Sequence, residues 1–243
     1  MSQALLIRHR RTWQRKPLLR AIYSEWYEEI RGWLIPGRVL EVGGGGGNFK
    51  EAQPQVISTD IVLVPWLDAV SDAHQLSFKT ESFSNIVVFD VLHHLKDPVL
   101  FFNEALRVLT PGGRLVIMEP YVSWLSFPVY RFFHPEPLDL SVDPFKPVFY
   151  TTGRDPFEAN QGIPTLLLDR HWHRFTQLYP AFEKLTRRWF GFFLYPLSGG
   201  FDHPSLIPFF LHWPLRLIEK LLSPLGRFLA FRFLVVLEKR AGM

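Results

Sequence analysis

Five consecutive glycines, residues 43–47, follow a short apolar segment that contains Glu41, and Asp60 closes the next apolar segment. Glycine permits positive φ angles and lets a ligand approach the main chain where a Cβ atom would clash. A carboxylate at the end of the second strand can accept both hydroxyls of a ribose. The pattern therefore predicts a nucleotide-binding loop rather than a flexible linker, which would join two self-contained units. A tight turn and a turn-capping aspartate are the structural alternatives.

Side chains that could move a proton follow later apolar segments. His93 and His94 follow one such segment, Glu119 and Tyr121 end another, and His134 lies in "RFFHPEP". A histidine or carboxylate beside a reacting atom can act as a general acid or base. We take His93, His134, Glu119 and Tyr121 as candidate catalytic residues, with core packing and turn capping as the alternatives. No metal site is expected, because adjacent histidine side chains usually diverge and no nearby acid completes a ligand set.

The elements that must position these residues alternate along the first half of the chain. Apolar segments at residues 39–42, 56–61, 86–89 and 115–118 predict buried strands, and apolar periodicity predicts helices over about residues 17–34 and 98–109. Alternating strands and helices imply right-handed βαβ units and a mostly parallel sheet. Ligands bind such sheets outside the carboxyl ends of the strands, the edge at which Glu119 is expected to lie.

The second half of the chain has a different composition. Residues 121–180 are dense in aromatics and prolines and predict an ordered, partly helical insertion, with "LDRHWHRFTQLYP" as its best helix. Two further strands are predicted at residues 182–194 and 231–237, separated by an apolar helical stretch at 204–229. We expect one domain over 1–243, with an N-terminal helical cover (1–37), a ligand-binding core (38–120), the insertion (121–180) and the last two strands (181–243).

Three further motifs follow the glycines and Asp60 in order: "DAHQLSF" from Asp72, "FSNIVVFDVLHHL" from Phe83 and "ALRVLTPGGRLVIMEP" from Ala105. With them, residues 38–120 resemble the class I S-adenosylmethionine-dependent methyltransferases, especially the type 11 group. The resemblance implies a doubly wound, mostly parallel seven-stranded Rossmann-like sheet with one antiparallel strand near the C-terminus. Helical insertions would lie over its carboxyl edge.

The resemblance also implies cofactor-binding roles. Glu41 would orient the amino end of S-adenosyl-L-methionine, and the glycines would pass beneath its methionine part. Asp60 would bind the ribose, Asp72 the adenine amine, and Val91 and Leu92 would close over the methyl group. The full implied set is Glu41, Gly43, Gly45, Gly47, Asp60, Ile61, Asp72, Ala73, Val91 and Leu92. One departure is that the usual tight hairpin between the last two strands is replaced by residues 204–229.

Composition limits the other classes of function. The net charge is +4, with basic residues crowded between Arg8 and Arg20, but no nucleic-acid motif accompanies them, so no nucleic-acid partner is expected. A solvated basic helix is the simpler interpretation of that cluster, and anionic lipid is the alternative. The absence of cysteine fits a cytoplasmic enzyme. We expect no signal peptide and no membrane-spanning helix, and leave peripheral contact with the inner face of a membrane open.

The predicted function is methyl transfer from S-adenosylmethionine to an oxygen, nitrogen or carbon of a small, apolar or lipid-like acceptor. The aromatic content of 16% favours a pocket for a bulky apolar molecule. Two alternatives remain: a nucleotide-binding oxidoreductase of the Rossmann type, and a non-catalytic module that keeps the cofactor fold and acts at a membrane surface. The sequence does not predict the acceptor, the methylated atom or the oligomeric state.

Overall fold

The computed structural model describes residues 2–147 and 158–242. Within them, one sheet has seven strands in the order β3-β2-β1-β4-β5-β7-β6. The strands are β1 Val39–Val42, β2 Ile57–Asp60, β3 Ala69–Val70, β4 Phe83–Phe89, β5 Leu109–Pro120, β6 Phe182–Phe190 and β7 Arg232–Lys239. Pairing is parallel except for β7, which is antiparallel to both β5 and β6. The predicted fold class, with its antiparallel strand near the C-terminus, is confirmed.

The central strands are continuous apolar runs because both of their faces are covered. All four residues of β1 are buried, and β4 pairs with it in parallel so that Leu40 lies opposite Ile86. Such runs are typical of strands in parallel sheets, which helices cover on both sides. Since β1, β2, β4 and β5 run in one direction, their carboxyl ends share one edge. The glycine run, Asp60, Asp90 and Glu119 come to that edge.

Ten α-helical segments flank this sheet in the described part of the chain. They are α1 Ser2–Arg15, α2 Pro17–Arg31, α3 Asn48–Ala52, α4 Pro98–Val108, α5 Ser126–Phe132, α6 Ile163–Thr165, α7 Trp172–Leu178, α8 Leu194–Ser198, α9 His212–Leu221 and α10 Gly226–Leu229. Helix α4 begins at Pro98 after Asp97, whose side chain accepts hydrogen bonds from the main-chain N–H groups of Val99 and Leu100. This is the usual way in which an aspartate caps a helix N-terminus.

Two apolar cores lie on the two faces of the sheet. One contains α4 and the apolar part of the insertion, including Phe101, Phe102 and Phe175. The other is formed by α2 with the opposite faces of β1, β4, β5 and β7. Residues that alternate along a strand point to opposite faces. Val87 therefore belongs to the α2 core, whereas its neighbours Ile86 and Val88 belong to the α4 core.

Several local predictions needed correction. The basic N-terminal segment is the helix α1, whose Arg8, Arg11 and Arg15 are exposed as expected, whereas Leu6 and Trp13 are buried. The helix predicted at "LDRHWHRFTQLYP" is split: a wider helical turn covers Leu166–Arg170, and α7 starts only at Trp172. Strand β6 ends at Phe190 and not at residue 194, where α8 has already begun. Residues 148–157 of the predicted insertion lie outside the described residues.

Candidate active site

The glycine run forms a loop, residues 43–47, between β1 and α3. Gly43, Gly45 and Gly47 have φ angles of +75°, +48° and +73°. A residue with a Cβ atom adopts this left-handed region only at a cost, so the alternate glycines are required by the backbone conformation. Gly47 also ends the loop as the residue that precedes α3. We call residues 43–47 the glycine loop.

The glycine loop is also held in place by close contacts and hydrogen bonds with neighbouring side chains. A Cβ atom on Gly43 would collide with the Val91 side chain, and one on Gly47 would lie 2.6 Å from Cδ1 of Trp66. The Trp66 indole N–H donates to the Gly45 carbonyl oxygen at 2.9 Å, and Arg10 donates to the Gly46 carbonyl oxygen at 2.6 Å. Glycine is thus required at these positions partly because neighbouring side chains leave no room for a Cβ atom. These bonds also pin a loop that its composition alone would make pliant.

Glu41 is buried in β1 immediately before the glycine loop, with 3% of its surface exposed. Its Oε2 atom accepts a hydrogen bond from the Ser58 hydroxyl. Burial raises the pKa of Glu41 to about 7, although the Ser58 hydrogen bond acts in the opposite direction. A carboxyl group that loses its proton near neutral pH is well suited to meet a cationic group of a ligand.

Asp60 ends β2 beside the glycine loop. Its Oδ2 atom accepts a hydrogen bond from the Gly45 N–H and its Oδ1 atom one from the Val62 N–H, both at 2.9 Å. Burial raises the pKa of Asp60, and these N–H groups partly offset that effect. Each carboxylate oxygen has a second lone pair. The side chain is therefore fixed in direction while it can still accept a hydroxyl group.

The remaining predicted ligand-binding residues divide into two groups. Ile61, Asp72, Ala73 and Val91 line the same large cavity as Glu41, Asp60 and residues 43–46. Asp72 accepts hydrogen bonds at Oδ1 from the His74 N–H and pairs with His74 Nδ1 at 2.6 Å. Gly47 and Leu92 lie outside the cavity wall, since Leu92 is fully buried in the core.

The cavity has a volume of about 1300 Å³. Pockets for single small ligands typically measure about 300–1,000 Å³, so this volume suits a cofactor and an acceptor together. The glycine loop, Glu41, Asp60 and Asp72 line one part of it, which we call the cofactor end. Two oriented carboxylates beside an exposed stretch of main chain provide the groups that a nucleoside with an amino-acid tail requires. The residues present therefore fit S-adenosylmethionine.

A cluster of histidines and glutamates lies deeper in the same cavity. His93 Nδ1 lies 2.6 Å from Glu119 Oε2, and the other carboxylate oxygen of Glu119 accepts hydrogen bonds from the N–H groups of Val91 and Leu92. Glu119 is completely buried behind the cavity wall, whereas His93 is part of the wall. Glu119 therefore orients His93 and does not itself face the cavity.

Glu136 completes this cluster from the insertion. Its Oε2 atom lies 3.5 Å from His93 Nε2 and 4.0 Å from His134 Nδ1, and its Oε1 atom lies 3.8 Å from His94 Nε2. The rings of His93 and His94 are 4.2 Å apart and tilted by 38°. The sequence argument that adjacent imidazoles diverge and that no acid lies nearby does not hold here. We call His93, His94, Glu119, His134 and Glu136 the histidine–glutamate cluster.

The charges in this cluster are strongly coupled. Burial alone would lower the pKa of His93, but Glu119 and Glu136 outweigh it and raise that pKa to about 10. Burial and the neighbouring His93 lower the pKa of His94 to about 4. Burial raises the pKa of Glu136, but its hydrogen bond and charge interactions with His93 prevail and bring the pKa to about 2. In the absence of a bound cation, these interactions favour a proton on His93, beside Glu136.

Comparisons with known proteins agree with this geometry. Residues 40–117 match the family described as "Methyltransferase domain". This match supports the resemblance of residues 38–120 to the class I S-adenosylmethionine-dependent methyltransferases. The cofactor of this family is S-adenosyl-L-methionine, as the resemblance of residues 38–120 predicted.

Similar proteins include enzymes named for quinone biosynthesis. The ubiquinone biosynthesis O-methyltransferase of Xanthomonas oryzae pv. oryzae is 26% identical over 110 residues, 37% of this chain and 46% of that protein. The ubiquinone/menaquinone biosynthesis C-methyltransferase of Ruegeria sp. is 29% identical over 123 residues, 40% of this chain and 49% of that protein. The chain therefore matches slightly less than half the length of these curated relatives.

Solved structures support the fold over nearly the whole length of the chain. A Thermotoga maritima methyltransferase, described as a possible histamine N-methyltransferase, has a TM-score of 0.60 at 16% identity and covers 94% of this chain and 95% of its own. A SAM-dependent methyltransferase of Archaeoglobus fulgidus has a TM-score of 0.55 at 16% identity, with 90% and 94% covered. At these identities the likeness concerns the fold.

The four predicted catalytic residues do not all meet at the cavity. His93 and His134 line it, and Glu119 supports His93 from behind. Tyr121 is buried outside the cavity wall and donates a hydrogen bond to Asp169 Oδ2 at 3.0 Å. The roles of all four stay predictions. For Tyr121, the structure shows a partner that accounts for its hydroxyl without a substrate.

Sequence reasoning missed Arg232, the first residue of β7. Its guanidinium group is buried, pairs with Asp90 and lies 4.7 Å from the Tyr195 ring centre and 5.0 Å from that of Trp26. Arg232 lines the cavity beside the histidine–glutamate cluster. An arginine at the start of an otherwise apolar strand was the available signal. Only the antiparallel insertion of β7 beside β5 brings it to the ligand edge.

The far end of the cavity is bordered by exposed apolar side chains, which we call the apolar rim. They come from residues 124–133 and from the stretch 206–228, and the two groups meet where the ring centres of Trp124 and Phe228 lie 5.2 Å apart, with the rings tilted by 59°. The rim consists of Trp124, Leu125, Phe127, Phe132, Phe133, Leu206, Phe209, Phe210, Trp213, Leu217, Ile218, Leu221, Leu225 and Phe228. Leu125, Phe133 and Leu206 belong both to the rim and to the cavity wall. The cavity therefore opens among apolar groups.

Proposed function

We propose that the chain transfers a methyl group from S-adenosylmethionine to an oxygen atom of a quinone-type phenol with an apolar tail, taken up at a membrane surface. The observation that carries the proposal is the continuity of one cavity from the glycine loop, past the histidine–glutamate cluster, to the apolar rim. Two named relatives act in quinone biosynthesis, one of them as an O-methyltransferase, which supports this class of acceptor.

The cofactor end contributes mainly by orientation. S-adenosylmethionine supplies an electrophilic methyl group bonded to a positively charged sulfur. The Glu41 carboxylate would attract the amino group of its methionine part, and Asp60 would accept the ribose hydroxyls. Holding two reactants in the correct geometry can supply roughly 7–11 kcal/mol of a barrier. The rigid bonds of Asp60 to the glycine loop provide that kind of positioning.

The apolar rim supports uptake from a membrane. Helix α9 buries only His212 and Glu219, and leaves Trp213, Leu217 and Leu221 with 55–79% of their surface exposed. Large exposed apolar surfaces usually mark sites of protein or membrane interaction. Helices that lie in a membrane interface present tryptophan and leucine to the lipid and basic residues beside them. No helix in the described part of the chain has the length and apolar character to cross a bilayer.

The charges beside the rim favour an anionic lipid surface. Arg131, Lys220 and Arg227 are exposed on the same elements as the rim residues. Each basic residue near an anionic membrane contributes about 1 kcal/mol of attraction, which salt weakens. A lipid surface thus matches both the apolar and the basic groups. Because Leu125, Phe133 and Leu206 lie in the cavity wall, a molecule could pass from lipid into the cavity without crossing water.

Cofactor binding is tested by calorimetric titration of the purified protein with S-adenosylmethionine. Substituting Asp60→Ala should weaken binding by more than about 1 kcal/mol, because a buried charge-assisted acceptor is lost. Asp143→Ala is the matched control, since Asp143 pairs with Arg174 and lies outside the cavity wall. Equal affinity in wild type and Asp60→Ala would remove Asp60 from the cofactor site.

The acceptor is tested with three analogues of one ring: a dihydroxyphenol with a polyprenyl tail, the same phenol without the tail, and the tailed ring with both hydroxyls already methylated. The proposal expects turnover with the tailed phenol on anionic vesicles, weaker turnover without the tail, and none with the blocked ring. Turnover of the blocked ring would show transfer to carbon. Vesicle and cofactor binding without turnover of any analogue would instead support the non-catalytic membrane module.

A further inference from the structure

Three side chains of the histidine–glutamate cluster point lone-pair atoms toward one another. His93, His94 and Glu136 each offer one possible ligand atom within 4.8 Å of the other two, and the Nε2 atoms of both imidazoles face the Glu136 carboxylate. All three residues line the cavity. Neutral imidazole nitrogens and carboxylate oxygens repel one another when no cation or proton lies between them. The arrangement therefore calls for positive charge at its centre.

The outward-facing nitrogens of both imidazoles already have partners. His93 Nδ1 lies 2.6 Å from Glu119 Oε2, and His94 Nδ1 lies 3.4 Å from the main-chain oxygen of Glu158. Histidines that bind metals usually donate their second N–H to a carboxylate or a carbonyl oxygen in this way, which fixes the tautomer and the orientation of the ligating nitrogen. Glu136 is held in turn by the side-chain amide of Gln161.

The spacing suits a transition-metal ion. Nitrogen and oxygen ligands about 2.0–2.1 Å from a tetrahedral zinc ion lie about 3.4 Å from each other. His93 Nε2 lies 3.5 Å from Glu136 Oε2, and His94 Nε2 lies 3.8 Å from the other carboxylate oxygen, Oε1, so both imidazoles face this carboxylate at close to the required spacing. Two carboxylates, Glu136 and the supporting Glu119, balance the charge of a divalent cation if both imidazoles are neutral.

Gln161 provides a second observation. It is 2% exposed, lines the cavity, and its Oε1 atom has no hydrogen-bond partner among the described residues. A buried amide oxygen without a partner costs free energy. Such an oxygen could be satisfied by a water molecule bound to an ion in the cluster.

We propose that His93 Nε2, His94 Nε2 and Glu136 bind one divalent transition-metal ion, of which zinc is the best match, with at least one position open to the cavity. If the proposed function holds, that open position would take an oxygen of the phenolic acceptor. Two nitrogen ligands and one carboxylate with an open position are characteristic of catalytic metal sites, which lower the pKa of a bound hydroxyl group.

The competing arrangement has no metal ion and instead a proton that His93 shares with Glu119 and Glu136. A titration with metal ions in the absence of cofactor and acceptor distinguishes the metal site from the shared proton. The full chain, stripped with a chelator, is titrated calorimetrically with Zn²⁺ in the absence of cofactor and acceptor. The proposal expects one equivalent to bind. Titration with Co²⁺ should produce the visible absorption of a site with few ligands. Failure to bind either ion would overturn the proposal.

Variants assign the ligands. His94→Gln and Glu136→Gln should each weaken Zn²⁺ binding more than tenfold, and Glu119→Gln should weaken it about 10–100-fold through loss of the support to His93. His173→Gln replaces an exposed histidine outside the cavity and should bind zinc like the wild type. Thermal melting checks that each variant is folded. One equivalent of zinc bound with unchanged affinity by folded His94→Gln and Glu136→Gln would place the ion elsewhere.

The same preparations are titrated with S-adenosylmethionine, which separates this inference from the proposed function. Absence of zinc binding to the wild-type chain, with intact cofactor binding and turnover, would reject only the metal site. Zinc binding without cofactor binding would reject the methyltransferase activity and leave the metal site standing.

Discussion

Helices α2 and α9 are both amphipathic, but they turn opposite faces toward the protein. Helix α2 buries its apolar face, including Leu19, Trp26 and Ile30, against the sheet. Helix α9 buries His212 and Glu219 and exposes Trp213 and Leu217. Periodicity therefore identifies the two faces of a helix, whereas the partners available in the fold decide which face is buried.

The polar face of α9 is buried because its side chains find hydrogen-bond and ion-pair partners inside the protein. Glu219 Oε1 accepts hydrogen bonds from the N–H groups of Phe192, Phe193 and Leu194 at 2.9–3.0 Å. Arg216 and His212 pair with Glu25, which belongs to α2. The two helices are thus linked through their polar edges. Helix α2 covers one of the apolar cores, whereas the apolar residues of α9 remain exposed on the surface of the molecule.

The largest expected effect is the difference in stability between two variants, one at a tryptophan of α2 and one at a tryptophan of α9. Trp26→Ala should lower the free energy of unfolding by about 3–5 kcal/mol, because a buried aromatic side chain is lost from the core. Its ring contacts Tyr23 and Tyr195 and lies beneath the guanidinium of Arg232. Trp213→Ala, at a side chain 72% exposed, should change that free energy by less than about 0.5 kcal/mol. Urea unfolding measures both, and equal losses would contradict the comparison.

Glu219 tests why α9 turns its polar face inward. Glu219→Ala should lower the free energy of unfolding by about 2–3 kcal/mol, because three N–H groups at the start of α8 lose their shared acceptor. Glu219→Gln keeps an acceptor oxygen at the same place and should recover most of this loss. Urea unfolding of the two variants is again the measurement. Similar values for both would show that the acceptor is not what fixes α9.

The exposed face of α9 is tested by lipid binding. The double substitution Trp213→Ser and Leu217→Ser should weaken binding to anionic vesicles by about 1–2 kcal/mol, roughly 5–30-fold, because two partly inserted apolar side chains are lost. Vesicle co-sedimentation measures this. Leu63→Ser removes an exposed leucine outside the rim and serves as the control. Equal weakening by the control would mean that any exposed apolar residue contributes and that α9 has no special role.

The cofactor half could be predicted from the sequence because its signals are local. Strands β1 and β4 are short and mostly apolar, so they are visible in the sequence. The glycine loop follows β1 directly, and Asp60 is the last residue of β2. In an alternating βα chain, the carboxyl ends of parallel strands necessarily meet at one edge. The positions of Glu41, Asp60, Asp72 and Val91 in one cavity wall therefore follow from chain order.

The acceptor half could not be predicted in the same way, because its contacts are not local. Glu136 reaches His93 from 43 positions away in the chain, and Arg232 pairs with Asp90 across 142 positions. The adjacent histidines converge only because Glu119 and the Glu158 carbonyl hold their outer nitrogens. The spacing of residues 204–229 likewise indicated a helix, but gave no sign that its polar side faces inward.

The smallest expected effect is the pH dependence of cofactor affinity that Glu41 causes. It tests how far the packing of α2 on the sheet excludes water from the cofactor end, in contrast to the solvent-exposed apolar rim. Burial raises the pKa of Glu41 to about 7, so this carboxyl group is mostly protonated at pH 6 and mostly ionised at pH 8. The ionised form should attract the amino group of S-adenosylmethionine. Affinity should therefore increase by up to about tenfold from pH 6 to pH 8, and Glu41→Gln should abolish the part of this increase that Glu41 causes.

Stability should show the opposite trend, which makes the assignment specific to Glu41. An acid whose pKa is raised in the folded state binds its proton more tightly there than in the unfolded chain. Its contribution to stability is complete below the unfolded value of 4.5 and is lost as the pH rises toward about 7. Relative to Glu41→Gln, the protein without cofactor should lose thermal stability over that interval while cofactor affinity increases. The contradicting outcome is that wild type and Glu41→Gln show the same pH dependence of both cofactor affinity and thermal stability. Glu41 would then be ionised over the whole pH range, and water would reach the cofactor end more than its burial suggests.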